Sequence, residues 1–151
     1  MAVLRESGRP YVQFNFLVDV GAGTEGPDAG FQEVSGIGME VTVAEYRNGN
    51  HRENSVMKIT GMNKSTDVTL KRGIIGSLTL YQWLDAIRNG SQDALRNVTI
   101  QLQSEDHLQT VVTWKLNRAR IIKHTSGPLN AKGTDVAMEE LVLAYERLEM
   151  E

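Results

Sequence analysis

Apolar and polar residues alternate along several stretches of the chain, a two-residue period that predicts β-strands with one buried face. In the first stretch, the apolar side chains that share a face are Val12, Phe14, Phe16, Val18 and Val20. The same pattern predicts further strands over residues 31–47, 67–72, 98–103, 112–121 and 136–148. The last of these is also compatible with a helix, but its nearly continuous apolar run favours a strand covered on both faces.

Two of the predicted strands contain an interruption. Gly36 and Gly38 lie inside the second strand, which indicates a bulge or a closely approaching neighbour. Near Asn117 and Arg118 the apolar positions move out of phase, which predicts a bulge or a bend.

A different period, with apolar residues three or four positions apart, predicts one helix. Its apolar stripe consists of Leu80, Trp83, Leu84 and Ile87. Ser77 is the expected N-cap, and Gly90 is the expected C-terminal stop. The elements together predict a mostly β (α+β) fold in a single domain over residues 1–151. We expect a small antiparallel β-barrel or sandwich with one flanking α-helix.

The stretch over residues 48–66 is polar, and its apolar residues are Val56, Met57, Ile59 and Met62. A connection of this length inside a compact domain is usually functional or disordered. Ordering a loop costs about 1–2 kcal/mol per residue in backbone entropy, so an ordered loop needs contacts. We therefore expect the stretch to be mobile in an isolated chain and ordered where a partner covers its apolar residues.

Composition and charge narrow the function classes. Of the 151 residues, 40% are hydrophobic and 23% are charged, and the formal net charge is −3. This balance gives no support for a nucleic-acid or anionic-membrane partner. Cysteine is absent, which excludes disulfides and thiolate metal sites. No apolar run approaches the roughly 18 residues of a membrane helix, so we expect no membrane insertion. Residues 1–10 lack the apolar region of a secretory signal, and we expect them to form an N-terminal arm.

Three glycines match the spacing of a dinucleotide-binding motif, G-x-G-x-x-G, after a predicted strand: Gly21, Gly23 and Gly26. That motif needs a helix that begins within it, because the helix N-terminus holds the pyrophosphate. Here Pro27 and a second strand follow, so the glycines indicate a turn.

The other candidate residues do not form a recognisable catalytic or metal-binding arrangement. His51, His107 and His124 lie at no metal-ligand spacing. Glu139 and Glu140 are adjacent, so in a strand they point to opposite faces and cannot act as a paired acid and base. No serine occupies a G-x-S-x-G turn. We expect no catalytic residue, no metal and no cofactor.

Several stretches, taken together and in order, resemble the tail tube (inner tube) protein family of contractile phages and phage-like extracellular contractile injection systems. They are residues 11–20, 31–40 (FQEVSGIGME), 45–49 (EYRNG) and 69–73 (TLKRG), the helix with Leu80, Trp83 and Leu84, Trp114 in its strand, and residues 135–141 (DVAMEEL). Each piece is short, but the ordered set covers nearly the whole chain.

The resemblance implies a structural protein and not an enzyme. In this family a β-barrel with a flanking helix forms hexameric rings, which stack into a hollow tube inside a contractile sheath. The implied partners are other copies of the chain, the sheath protein, and baseplate and tube-terminating proteins, with protein cargo or DNA in the lumen. The implied location is the bacterial cytoplasm during assembly and afterwards a phage tail or phage-like injection particle.

The resemblance also implies two groups of site residues. Residues 46–66 correspond to a long assembly loop that contacts the next ring or the neighbouring subunit. Its contact candidates are Tyr46, Arg47, Asn48, His51, Arg52, Val56, Met57, Ile59 and Met62. The candidates for the face that lines the lumen are Thr99, Gln101 and Gln103.

Two alternatives stay open at this point. A baseplate protein that initiates the tube as a ring would share the fold. In a different class, a small ligand-binding β-barrel would need a roomy apolar interior, whereas aromatic residues make up 6% of this chain.

Overall fold

The computed structural model describes residues 1–21 and 30–151. Within these ranges the secondary structure consists of β1 (Phe16–Asp19), β2 (Glu33–Ser35), β3 (Met39–Tyr46), β4 (Met57–Ser65), β5 (Val68–Gly73), α1 (Thr79–Arg88), β6 (Arg96–Gln103), β7 (Thr110–Ser126), β8 (Met138–Ala144) and β9 (Arg147–Met150). The predicted mostly β fold with one flanking helix is confirmed. The turn predicted around Gly23 and Gly26 lies outside the described residues.

The long strand β7 joins two antiparallel sheets. Its first part pairs with β6 and β9, and β6 also pairs with β1. Its second part pairs with β8, which continues through β5 to β2. Because both sheets contain β7, they form one continuous sandwich around a shared core.

β7 contains the bulge that the sequence predicts. Between the pairs that Leu116 and Ala119 make with β6, β7 has one residue more than its partner strand. Arg118 adopts a φ of +52° at this point, and its backbone N–H donates to the Asn97 side chain at 3.2 Å. The extra residue explains why the buried positions of β7 change phase from Leu116 to Ala119.

The two sheets and the helix enclose one apolar core. The buried residues of the central strands include Val68, Leu70, Val98, Ile100, Leu116, Ala119, Ile121, Leu141 and Leu143. More exposed residues separate them along each strand, as expected for sheets with one face on the core. The predicted C-terminal strand is present, but it is not buried on both faces as expected: its burial alternates along β8, and it breaks after Ala144 into β8 and β9.

The helix α1 packs on β7 through the apolar stripe. Leu80 and Trp83 are buried, and Leu84 and Ile87 are partly buried against the core. The apolar stripe of α1 therefore covers core residues on the side of β7 where the helix packs.

The predicted C-terminal end of α1 is confirmed, whereas its predicted N-cap is wrong. Gly90 has a φ of +90°, the left-handed conformation that ends many helices. At the N-terminus the cap is Leu78, without a side-chain hydrogen bond, and not Ser77 as predicted. Ser77 lies one residue too early, and its hydroxyl accepts a long bond of 3.4 Å from the Thr79 N–H.

The predicted strand over residues 31–47 is two strands in different sheets. β2 pairs with β5 in the sandwich, whereas β3 pairs with β4 in a separate sheet. Gly36 lies between them with a φ of +86°, and a Cβ on this residue would lie 2.4 Å from the Asp67 carbonyl oxygen. This close approach requires glycine, as the predicted interruption indicates.

Residues 46–66 are not the predicted long loop. β4 pairs antiparallel with β3, and residues 47–56 connect the two strands. The β-hairpin over residues 39–65 forms a sheet of its own. It is called the arm from here on, and it is distinct from the N-terminal residues 1–10. Nearly every residue of β4 is exposed, and a strand without a buried face lacks the alternation that identifies strands in a sequence.

Candidate functional site

One face of the arm presents apolar side chains without cover. Met39, Val41 and Val43 alternate along β3, and each is at least half exposed, at 54%, 50% and 52%. Their partners on β4 are polar residues. A two-stranded ribbon alone is at best marginally stable in water, so this face needs a partner.

The opposite face of the arm is apolar as well. Ala44 and Tyr46 pair with Ile59 and Met57, and all four are exposed. Met62, beside an irregularity in the pairing, is 83% exposed. Contiguous exposed apolar residues usually mark a contact with another protein. Both faces of the arm are therefore candidate contact surfaces.

The tip of the arm is held by its own hydrogen bonds. The Arg47 guanidinium donates to the carbonyl oxygens of His51 at 3.1 Å and Glu53 at 3.2 Å. The Tyr46 hydroxyl donates to the Asn48 side-chain oxygen at 2.6 Å. These bonds give the tip a defined shape within the single chain.

The nine predicted contact residues all lie on the arm, in two groups. Those on its strands are Tyr46, Met57, Ile59 and Met62. Those in the connection at the tip are Arg47, Asn48, His51, Arg52 and Val56. Sequence reasoning does not single out Met39, Val41 and Val43 as candidate contact residues, because alternation along a strand normally indicates a face on the core.

The predicted lumen residues share one side of β6. Thr99, Gln101 and Gln103 are only partly buried, whereas Val98 and Ile100, which flank Thr99, are buried. The three residues therefore belong to the outer, polar face of this sheet.

Charged residues of neighbouring strands share this polar face. Asp19, Thr99, Lys115 and Glu149 form one row across the four paired strands. Lys115 also pairs with Glu151 at 2.8 Å, which raises the pKa of Lys115 and lowers the pKa of Glu151 through the hydrogen bond between them. The charges of this face are mixed, and no single sign dominates it.

Three strands of the sandwich have an open edge. Among the described residues, β1, β2 and β9 each pair along one side alone. An unpaired strand edge is a template for pairing with another chain. These edges are further candidate contact surfaces.

The N-terminal residues fold back onto the hairpin between β6 and β7. The Val3 N–H donates to the Val111 carbonyl at 2.8 Å. Arg5 forms an ion pair with Glu105 and lies 4.0 Å from the centre of the Tyr11 ring. The hydrogen bond from Arg5 holds the pKa of Glu105 below its usual range.

A charged cluster inside the sandwich is internally paired. Arg72 and Glu139, on the paired strands β5 and β8, are buried and form an ion pair. The His124 ring nitrogen Nε2 lies 3.1 Å from the second Glu139 oxygen. The neighbouring Glu140 is less buried and lies on the other face, so the two carboxylates do not form a catalytic pair.

Three kinds of site or segment among the described residues would point to a ligand or a membrane: a metal site, a membrane-spanning helix and the glycine motif. Within residues 1–21 and 30–151, no three His, Asp or Glu side chains are grouped to hold a metal ion. The helix found in these ranges is neither long nor apolar enough to cross a membrane. Of the dinucleotide-type glycines, Gly21 has a φ of +81° and lies against the backbone of Asn97.

Neither a chelator nor NAD should change the melting temperature. A ligand that binds the folded state alone stabilises it by mass action, so removal of a resident metal would lower the temperature and binding of NAD would raise it. Differential scanning fluorimetry with EDTA, with NAD and with buffer alone measures this. A reproducible rise with NAD would restore the glycine motif as a binding site.

The fold and the surfaces define a class of protein: a β-sandwich whose exposed apolar faces and open strand edges suit contacts with other chains. Its arm has two uncovered apolar faces, and among the described residues three strand edges are open and the buried charges are paired. The chain belongs to the tail tube family, because residues 12–149 match the model of the family described as T4-like virus tail tube protein gp19. The resemblance seen in the sequence is thereby confirmed.

Solved structures of similar proteins span nearly the whole chain. A chain of the PVC sheath–tube complex of an extracellular contractile injection system, in the extended state, is 27% identical, with a TM-score of 0.83 and 99% of both chains covered. A chain of the PVC sheath/tube terminator is 28% identical, with a TM-score of 0.82 over 95% of this chain and 97% of that one.

A third similar structure is the tube-terminating cap of the anti-feeding prophage. A chain of this cap is 24% identical, with a TM-score of 0.83 over 100% of this chain and 94% of that one, and it shares the fold. No curated protein matches the chain.

Proposed function

We propose that this chain is the structural subunit of the inner tube of a contractile injection system. In this assembly hexameric rings stack into a hollow tube inside a contractile sheath. The observation that carries the proposal is the 27% identity to a chain of the PVC sheath–tube complex over 99% of both chains. With coverage this complete, the arm and the sandwich both have counterparts in that chain.

The arm supports the proposal because a tube can cover both of its faces. The face with Val41 and Val43 and the face with Tyr46 and Ile59 are exposed in the single chain. A neighbour in the ring and a copy in the adjacent ring can each bury one face. Burial of apolar surface contributes roughly 25 cal/mol per Å², so the arm favours the assembled state.

The open strand edges support ring formation. β1, β2 and β9 have unpaired backbone groups along one side within the described part of the chain. Closure of a ring pairs such edges with neighbours and removes the hazard of uncontrolled aggregation. The polar face with Thr99, Gln101 and Gln103 then lines the lumen.

The remaining partners follow from the same assembly. We infer contacts with a contractile sheath, a baseplate and a tube-terminating protein, since similar chains occur in structures of such complexes. Protein cargo or DNA passes through the lumen. The chain has no enzymatic role, and it assembles in the bacterial cytoplasm before it becomes part of the particle.

A second candidate function is a ring at one end of the tube. Its support is the 25% identity, at a TM-score of 0.79, to a chain in the baseplate structure of the anti-feeding prophage. A ligand-binding barrel has less support, because large side chains such as Trp83, Leu70 and Ile121 fill the interior of the sandwich.

The purified protein should form hexameric rings or tubes. Negative-stain electron microscopy should show the rings, and light scattering should give a mass of one ring or a multiple of it. Long tubes would favour the main tube, and single rings that add to the end of preformed tubes would favour the end ring. A strictly monomeric profile at every concentration would contradict both.

A further inference from the structure

The arm leaves the sandwich through two short connections that touch each other. Residues 36–38 lead from β2 into the arm, and Thr66 and Asp67 lead from the arm into β5. Gly36 approaches the Asp67 carbonyl so closely that a Cβ would lie 2.4 Å from its oxygen. The direction in which the arm points is set at this junction.

Thr66 ties the two connections together. Its hydroxyl donates to the Gly36 carbonyl at 2.6 Å, and its backbone N–H donates to the Gly38 carbonyl at 3.1 Å. Thr66 itself is exposed, so its hydroxyl makes the bond to Gly36 without a part in the core.

Tyr145 ties the same junction to the core. It lies in the break between β8 and β9, and its ring belongs to the hydrophobic core with 8% exposure. Its hydroxyl donates to the Gly38 carbonyl at 2.9 Å and accepts from the Gly38 N–H at 3.4 Å. A carbonyl oxygen has two lone pairs, so Gly38 accepts the Tyr145 hydroxyl and the Thr66 N–H at the same time.

We propose that Tyr145 and Thr66 are positioning residues that fix the angle of the arm relative to the sandwich. Through this angle they set how the arm meets other copies of the chain. The inference rests on the proposed function, in which the arm is an assembly contact. Glycine adopts many backbone conformations, so without these bonds the arm could change its orientation relative to the sandwich at Gly36 and Gly38. An arm already held in its binding direction loses less conformational freedom on association.

Tyr145→Phe removes one oxygen atom from the junction and keeps the ring in the core. The variant should fold, and its critical concentration for tube formation should rise roughly tenfold, which corresponds to about 1.4 kcal/mol. The matched control is Tyr81→Phe, which removes the hydroxyl that accepts from Arg88 at 3.3 Å on α1. Its tubes should form at the wild-type concentration. Sedimentation of tubes across a dilution series measures both, at a temperature where both proteins are folded.

A second pair of variants tests the junction without a change in the core. Thr66→Val keeps the shape of the side chain and removes its hydroxyl, whereas Thr66→Ser keeps the hydroxyl. We expect Thr66→Val to raise the critical concentration and Thr66→Ser to stay near wild type. This pair decides the question if Tyr145→Phe fails to fold.

Normal tube formation by both Tyr145→Phe and Thr66→Val would overturn the proposal. A variant with an Asn-Gly turn in place of residues 41–63 shows whether the arm is an assembly contact at all. If that variant lacks tubes while the junction variants form them normally, the junction proposal alone is wrong. If it also forms normal tubes, the arm is not an assembly contact and the junction proposal fails, but the tube function stands. The proposed function fails if the unaltered chain forms neither rings nor tubes.

Discussion

Replacement of Trp83 by alanine should lower the melting temperature by roughly 6–20 °C, because loss of a large buried side chain costs about 3–5 kcal/mol. Trp83 is 2% exposed, and its indole N–H donates to the Ala94 carbonyl at 2.7 Å. The Arg96 guanidinium lies over the ring, 4.5 Å from its centre, and burial lowers the pKa of Arg96. Since domains are stable by about 5–15 kcal/mol, the variant loses a large fraction of its stability.

Tyr81→Ala is the matched control for this experiment. Tyr81 lies on the same helix but is 47% exposed, and surface substitutions usually change stability by about 0.5 kcal/mol or less. Thermal unfolding followed by circular dichroism, below the concentration at which tubes form, compares the two variants. An unchanged melting temperature for Trp83→Ala would mean that α1 does not bury this face. Equal losses for both variants would mean that burial of Trp83 is not the cause, and helix propensity cannot explain them, because alanine is the better helix former at both positions.

Elements that contribute to the core could be predicted from the sequence, because burial imposes a period. The stripe of α1 is visible in the spacing of Leu80, Trp83 and Ile87. Even the bulge in β7 could be placed, since one extra residue at Arg118 moves the next buried positions, Ala119 and Ile121, to the other parity. In these elements the residues that the apolar pattern selects are the residues that pack in the core.

The second strand of the arm, and therefore the hairpin, could not be predicted, because neither face of the arm is buried in the single chain. β4 contains Lys58, Lys64 and Gly61, residues that usually argue against a strand. At Gly61 a Cβ would lie 2.7 Å from the Thr42 hydroxyl, so close packing of the two strands of the arm selects glycine there. Such a requirement comes from a residue elsewhere in the chain, and no local pattern reveals it.

The residues at the junction of the arm could not be predicted from the sequence either. Along the sequence, Tyr145 is one more apolar residue in phase with Leu141 and Leu143. Its hydroxyl reaches Gly38, at a separation of 107 residues. The family resemblance indicates that residues 46–66 make contacts, but it does not single out Thr66, the last of them, and Tyr145 lies outside that range. The part that both residues play in orienting the arm becomes visible in three dimensions.

Replacement of residues 41–63 by an Asn-Gly turn should leave the sandwich folded and abolish long tubes. Glu40 faces Lys64 in the register of β3 and β4, so a two-residue turn can join them. Every residue of β3 is exposed, and β4 is exposed except for Ser65, so the removed segment contributes little to the core. The melting temperature of the monomer should therefore stay close to the wild-type value.

Point variants distinguish loss of contacts from loss of the hairpin. Val41→Thr with Val43→Thr makes one face of the arm polar, and Ile59→Thr makes the other face more polar. Threonine is β-branched and keeps the strands, so the hairpin should persist. Each variant should weaken tube formation, because each face loses apolar contacts with a different copy. Leu129→Thr, at an apolar residue 83% exposed outside the arm, is the matched control.

Electron microscopy of the shortened-arm variant, together with its melting temperature, decides the role of the arm. A folded sandwich without tubes is the expected result, since the apolar faces that copies cover are gone while the core is intact. Normal tubes would show that the ring and stacking contacts lie elsewhere, for example on the open edges of β1, β2 and β9. An unfolded chain would show that the arm stabilises the sandwich itself. If either point variant then formed tubes as readily as Leu129→Thr, the face that it changes would not be a contact between copies.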